Sequence, residues 1–169
     1  MLNRLPDWID PVHCAEHDMR FHAHVNQSAM KRLLEQVEMP NGEVEVDIQF
    51  HRHPRLKTPE FSMRVQTRLC LVCQRTLDSF EFEVDSTVEG LFLPSMQMAD
   101  EIEEDFEVYE LSQDKVSLLE LVEEELLLAI PMIPRKDEAD LASFDSESVE
   151  PEAARENPFA LLAQLKGRA

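Results

Sequence analysis

Between Glu43 and Glu89 the chain repeats one pattern three times: apolar and polar residues alternate strictly, and turn-forming or polar connections separate the runs. Val44, Val46, Ile48 and Phe50 share one phase, while Glu43, Glu45, Asp47, Gln49 and His51 share the other. Phe61, Met63, Val65, Leu69 and Leu71 repeat the pattern against Ser62, Arg64, Gln66 and Arg68. Phe80, Phe82, Val84 and Val88 do so against Glu81, Glu83, Asp85 and Glu89. A period of two sends successive side chains to opposite faces of a strand, so the pattern predicts three strands with one apolar face and one wetted face. The short connections favour antiparallel pairing. In a hairpin of the last two runs, Arg64 and Arg68 meet the acidic row of their neighbour across the sheet.

Helical signals flank this block. Asp10-Pro11 opens a brief helix to about His17, because Asp caps well and proline fits the first helical position. Met19, Phe21, Ala23 and Val25 alternate with Arg20, His22 and His24 as a further strand. Ser28 caps a predicted helix from Ala29 to about Val37 that buries Met30, Leu33, Leu34 and Val37, and Pro40-Asn41-Gly42 ends it. After Gly90 come a methionine- and acid-rich connection and a short strand-like piece, Phe106 to Glu110. Ser117-Leu118-Leu119-Glu120 is a capping box, and the helix it starts runs to about Ala129, since Pro131 disfavours helical geometry at Ile130. The expected class is therefore α+β: a mainly antiparallel sheet, open or barrel-like, covered by a few helices.

The apolar periodicity stops near Pro134, which sets the expected domain at 1–134. Residues 135–156 are acidic, rich in serine and alanine, and predicted to be a disordered linker. In 157–169, Asn157 caps, Pro158 takes the first helical position, and Phe159, Leu162 and Leu165 fall near one face. A helix that short needs a dock, on its own domain or on a partner.

Charge is unevenly spread. The formal net charge is −19, yet residues 20–75 hold nine Lys/Arg against six Asp/Glu, while 100–156 hold twenty acidic and four basic residues. The acidic part suits basic partners, and the cationic candidates for contact with RNA or a partner are Arg20, Arg52, Arg55, Arg64, Arg68 and Arg75. No run reaches the eighteen apolar residues of a membrane span, and the N-terminus lacks the apolar segment of a signal peptide. Three cysteines, Cys14, Cys70 and Cys73, suggest free thiols in a reducing compartment. The expected location is the cytoplasm.

Catalytic chemistry finds little support. Cys70 and Cys73 are three apart on a strand, which turns their thiols to opposite faces. The pairs His13/His17, His22/His24 and His51/His53 each share a face, but nothing in the pattern names a third ligand, so no metal or other cofactor is expected. Glu123-Glu124-Glu125 splay by about 100° per residue on a helix and cannot converge on one bond. Their expected role is a solvated or partner-facing edge. Three glycines leave no room for a phosphate-cradling loop.

Four blocks carry a family resemblance: Asp10-Pro11; Leu71-Val72-Cys73-Gln74-Arg75; Leu118 to Pro131 with a second proline at Pro134; and Asn157 to Lys166. Together they resemble the bacterial large ribosomal RNA subunit accumulation (YceD-like) family. The resemblance implies a cytoplasmic, non-enzymatic factor in synthesis, processing or stability of large-subunit (23S) ribosomal RNA. The implied partners are a ribosomal RNA precursor, a ribosomal protein or an RNA-processing enzyme, with no role for DNA or a membrane. A metal-dependent RNA hydrolase and a thiol redox-sensing regulator are the competing readings. The family often carries Cys-x-x-Cys from the position of Cys73, and here its second position is Thr76.

Overall fold

The computed structural model describes residues 5–102, 106–111 and 115–136. Five strands form one sheet in the order of the sequence: β1 (Arg20–Asn26), β2 (Glu43–Arg52), β3 (Pro59–Val72), β4 (Ser79–Leu93) and β5 (Glu107–Glu110). The first four pair antiparallel, and β5 joins β4 in parallel after a crossover that includes a 3-10 turn, Met96–Glu101. The edge strands β1 and β5 do not pair with each other, so the sheet is open and not a barrel. Helices α1 (Pro11–Glu16) and α2 (Leu118–Ala129) cover its apolar face. The described unit ends at Lys136; Phe159, Leu162, Leu165 and most of the expected linker lie outside the described residues.

The alternation read from the sequence is the packing of the sheet. Val44, Val46, Ile48, Phe50, Phe61, Met63, Val65, Leu69 and Leu71 are buried, and their even-spaced partners line the opposite face. At the centre Phe61 lies opposite Phe50 on one side and Gly90 on the other. Its ring meets Phe50, Phe92 and Tyr109 at centroid distances of 5.9, 5.4 and 5.7 Å. Tilted contacts of this kind add about 0.5–1.5 kcal/mol per pair beyond burial. Gly90 is required here, because a Cβ at that position would overlap the Phe61 ring.

β3 is longer than its neighbour β2, which pairs with it only as far as Gln66. Carbonyls of the unpaired stretch are capped by other means: the Gln27 amide donates to Arg68 O at 2.8 Å, and the Glu38 N–H donates to Cys70 O at 2.9 Å. Gln27 is fully buried and also reaches Thr67 Oγ1 and the Gly42 N–H, so its polar atoms are matched.

The stretch predicted as a helix from Ala29 to Val37 is two 3-10 turns, Gln27–Ala29 and Leu33–Glu35. Helical spacing of the apolar residues survives, since Met30, Leu33 and Val37 are buried. What breaks the helix is tertiary. Glu123 of α2 accepts the N–H groups of Arg32 at 2.6 Å and Leu33 at 3.1 Å, capping a new turn there. Gln27, committed to β3, fixes the chain before it. Glu123 is thus buried, as is Glu125, which takes the Ser86 hydroxyl; neither is the solvated edge expected for the glutamate run. Buried carboxylates are tolerated where donors converge on them.

The connections 53–58 and 73–78, at opposite ends of β3, close in the same way. The first N–H donates to the last carbonyl (His53 to Thr58 and Cys73 to Asp78, both 2.9 Å), and the fifth N–H returns to the first carbonyl. The fifth residue is left-handed in each, Lys57 at φ 61° and Leu77 at φ 63°.

Two substitutions test this account in denaturant unfolding. Gly90→Ala should destabilise by about 1–3 kcal/mol through overpacking against Phe61. Glu123→Ala should cost about 2–3 kcal/mol by orphaning the Arg32 and Leu33 N–H groups, with Glu123→Gln retaining part of the loss.

Candidate functional site

The outer face of the sheet holds three of the six candidate arginines, each against an acid. Arg20 grips Asp47 with Nε and Nη2 at 2.9 and 2.6 Å. Arg64 grips Asp85 in the same two-pronged way at 2.8 and 2.7 Å. Arg68 reaches Glu83 at 3.0 Å. The guanidinium groups hold the Asp47 and Asp85 carboxyls below the usual carboxylate range and push Arg20 and Arg64 further up. Arg64 and Arg68 meet the β4 acids as the alternation predicts; the Arg20–Asp47 pair needed the β1–β2 register to be seen. Between the pairs runs an open trough of about 320 Å³, bordered by Arg20, Glu45, Asp47, Arg64, Gln66 and Thr87. The solvent-accessible outward positions of β1 to β4 carry three arginines and seven carboxylates: Glu43, Glu45, Asp47, Glu81, Glu83, Asp85 and Glu89. The face is acidic.

The other three arginines lie elsewhere. Arg52 ends β2 and donates to Lys57 O at 2.9 Å, and Arg55 is exposed in the same hairpin loop. Arg75 occupies the matching position of the loop at the far end of β3. A strand of fourteen residues spans about 45 Å, so the six arginines do not form one patch.

The loop that holds Arg75 surrounds Cys73, which is fully buried. Its sulfur accepts from the Thr76 hydroxyl, the N–H groups of Thr76 and Arg75, and the Lys136 N–H at 3.5 Å. These donors outweigh desolvation and pull the thiol down to about 6. Thr76, where the resembled pattern has a second cysteine, therefore serves as a donor to the first. Cys70 points the other way, toward Glu38. Cys14, beneath α1, is pushed up to about 11 by burial and by Asp10. Two of the sequence blocks singled out above meet at this corner: Gln74 N–H donates to Pro134 O at 2.9 Å, so the chain beyond α2 is tied to the end of β3. A cavity of about 270 Å³ opens between them, with Leu71, Gln74, Leu127, Ile130, Pro131 and Pro134 around it.

The family described as large ribosomal RNA subunit accumulation protein YceD matches residues 61–166, well over half the chain. This chain belongs to the YceD family. A relative from Haemophilus influenzae, the large ribosomal RNA subunit accumulation protein YceD of that organism, is 27% identical over 96% of this chain and 97% of its own length. No solved structure matches the chain. Within the described residues, the match to the YceD family covers β3, β4, β5, α2 and the Cys73 corner. It begins at Phe61, the residue at the centre of the aromatic row.

Sequence reasoning missed two kinds of residue. Glu123 and Glu125 looked like surface, because a helix with many leucines gives no sign of which side its carboxylates take. Glu45 was read only as a polar outward position, while the register sets it directly opposite His24. The alternation on β1 and β2 put His22, His24 and Glu45 on outward positions, but did not contain the offset that pairs them.

The depressed thiol gives a pH signature. A group whose pKa falls on folding, here from 9.0 to about 6, adds stability that is complete above the unfolded value and lost as the pH falls through the folded one. Unfolding free energy should thus climb from about pH 6 toward pH 9, and Cys73→Ala should flatten that slope relative to the wild type in denaturant titrations across this window.

Proposed function

We propose that this chain acts in the accumulation of large-subunit ribosomal RNA, in the cytoplasm, and that it does so by holding a partner of the maturing particle. Membership of the YceD family carries the biological assignment. Among the described residues, no helix is long and apolar enough to cross a membrane. Binding, in place of catalysis, is favoured by what the candidate site offers. Its outer-face arginines, Arg20, Arg64 and Arg68, are matched to acids, its most acidic thiol is sealed from solvent, and the outer face is a broad polar trough.

The acidity of the outer face supports a basic ribosomal protein, or a basic segment of an RNA-processing enzyme, as the direct contact. Spent arginines have little left for phosphates, and unpaired carboxylates such as Glu43, Glu81 and Glu89 repel RNA. Phe159, Leu162 and Leu165 are proposed as a second, apolar anchor on that partner. A second reading rests on the hairpin loops: Arg52 and Arg55, with Arg75 at the other end, would contact RNA precursor phosphates directly.

Charge reversal separates the two. Full-length protein carrying Glu43→Lys, Glu81→Lys and Glu89→Lys should associate with precursor large-subunit particles about tenfold more weakly, in sedimentation from growing cells, whereas Arg52→Glu with Arg55→Glu leaves association unchanged. The converse result assigns the contact to RNA phosphates. No association of the unaltered protein would remove the binding reading altogether.

A further inference from the structure

His22 and His24 are two residues apart on β1, so both imidazoles stand on the outer face, with ring centroids 5.7 Å apart. The β1–β2 register sets His24 opposite Glu45 and His22 opposite Asp47. One ligand atom from each of His22, His24 and Glu45 lies within 4.8 Å of the other two. We propose that His22, His24 and Glu45 form a site for a divalent transition cation of the zinc class, with the fourth coordination position open to solvent.

The donor set selects the metal. Two imidazoles and one carboxylate suit zinc and its neighbours, whereas magnesium and calcium take oxygen ligands. Three protein ligands with one open place is the arrangement of an accessible zinc site. Ligand atoms around tetrahedral zinc stand about 3.4 Å apart, given zinc–nitrogen and zinc–oxygen bonds near 2.1 Å. His22 Nε2 and Glu45 Oε1 are already 3.9 Å apart, and the Glu45 side chain is 48% exposed, so a small rotation completes the approach.

The surroundings fit as well. Asp47 Oδ2 lies 3.6 Å from His22 Nδ1, on the side of the ring away from Glu45, and is itself held by Arg20. A short approach from there would make Asp47 the outer-shell carboxylate that turns an imidazole so that Nε2 faces a metal. Of the cations around the site, Arg64, which feels the charge of Glu45, is engaged with Asp85, and Arg20 is engaged with Asp47. The site lies beside the trough of about 320 Å³, so a ligand can reach the open position. None of this depends on the proposed role in ribosomal RNA accumulation.

The test is titration of metal-stripped full-length protein with zinc alone, followed by calorimetry, with cobalt(II) absorption to report coordination. The wild type should bind about one zinc per chain with Kd tighter than about 100 μM. His24→Ala and Glu45→Gln should each weaken binding at least tenfold, and Asp47→Asn about tenfold. His51→Ala with His53→Ala, the other strand-spaced pair, and Cys73→Ala should leave it within twofold. Circular dichroism checks that the variants, the buried Cys73→Ala included, remain folded. Weaker binding by the wild type, retention within tenfold by His24→Ala or Glu45→Gln, or loss with either control variant overturns the proposal.

Discussion

The ring of Phe61 lies over Gly90 of β4, in space that a Cβ at that position would occupy. Because strand side chains alternate with a period of two, a shift of one residue would exchange the two faces of β3 entirely. The Phe50–Phe61–Gly90 row therefore does more than fill the core. It decides that Arg64 reaches Asp85 on the solvent side, while the β1–β2 register sets Glu45 and Asp47 beside the histidines of β1. The polar chemistry of the outer face is arranged by apolar contacts on the inner one.

Much of this was legible in the sequence. The β2, β3 and β4 alternation gave the strands, their inward rows and the sheet's wet face almost residue by residue, since burial of one face leaves that pattern no other geometry. The capping box at Ser117 and the Asp10 cap were equally local and equally readable. The stretch after Ser28 was not, because its helical propensity is overridden by a carboxylate about ninety residues away in the chain. Glu123 and Glu125 were misread for the same reason: burial of a charged side chain depends on donors that no local window contains. The grouping of His22, His24 and Glu45 depended on the offset between two strands, which their separate patterns leave open.

Net charge alone is a poor guide to what this surface can hold. The chain is strongly acidic, but along β1 to β4 the two signs are interleaved so that arginines are engaged by the neighbouring strand. Such exposed pairs contribute little to stability, about 0–1 kcal/mol each. Their larger effect is to remove cations from competition for phosphate and leave a face whose surplus is negative. A surface of that sign is suited to basic partners more than to nucleic acid.

The matched hairpin loops at the two ends of β3 have a consequence for how far that strand can slide. A shift by two residues would keep every inward and outward assignment, so alternation alone cannot forbid it. The loops can. Each has a fixed six-residue closure with a left-handed fifth residue, and moving β3 lengthwise would have to shorten one connection while lengthening the other, undoing both closures. The strand is held like a rod between two identical latches, and backbone geometry at its ends fixes its longitudinal position together with the seat of Phe61 over Gly90.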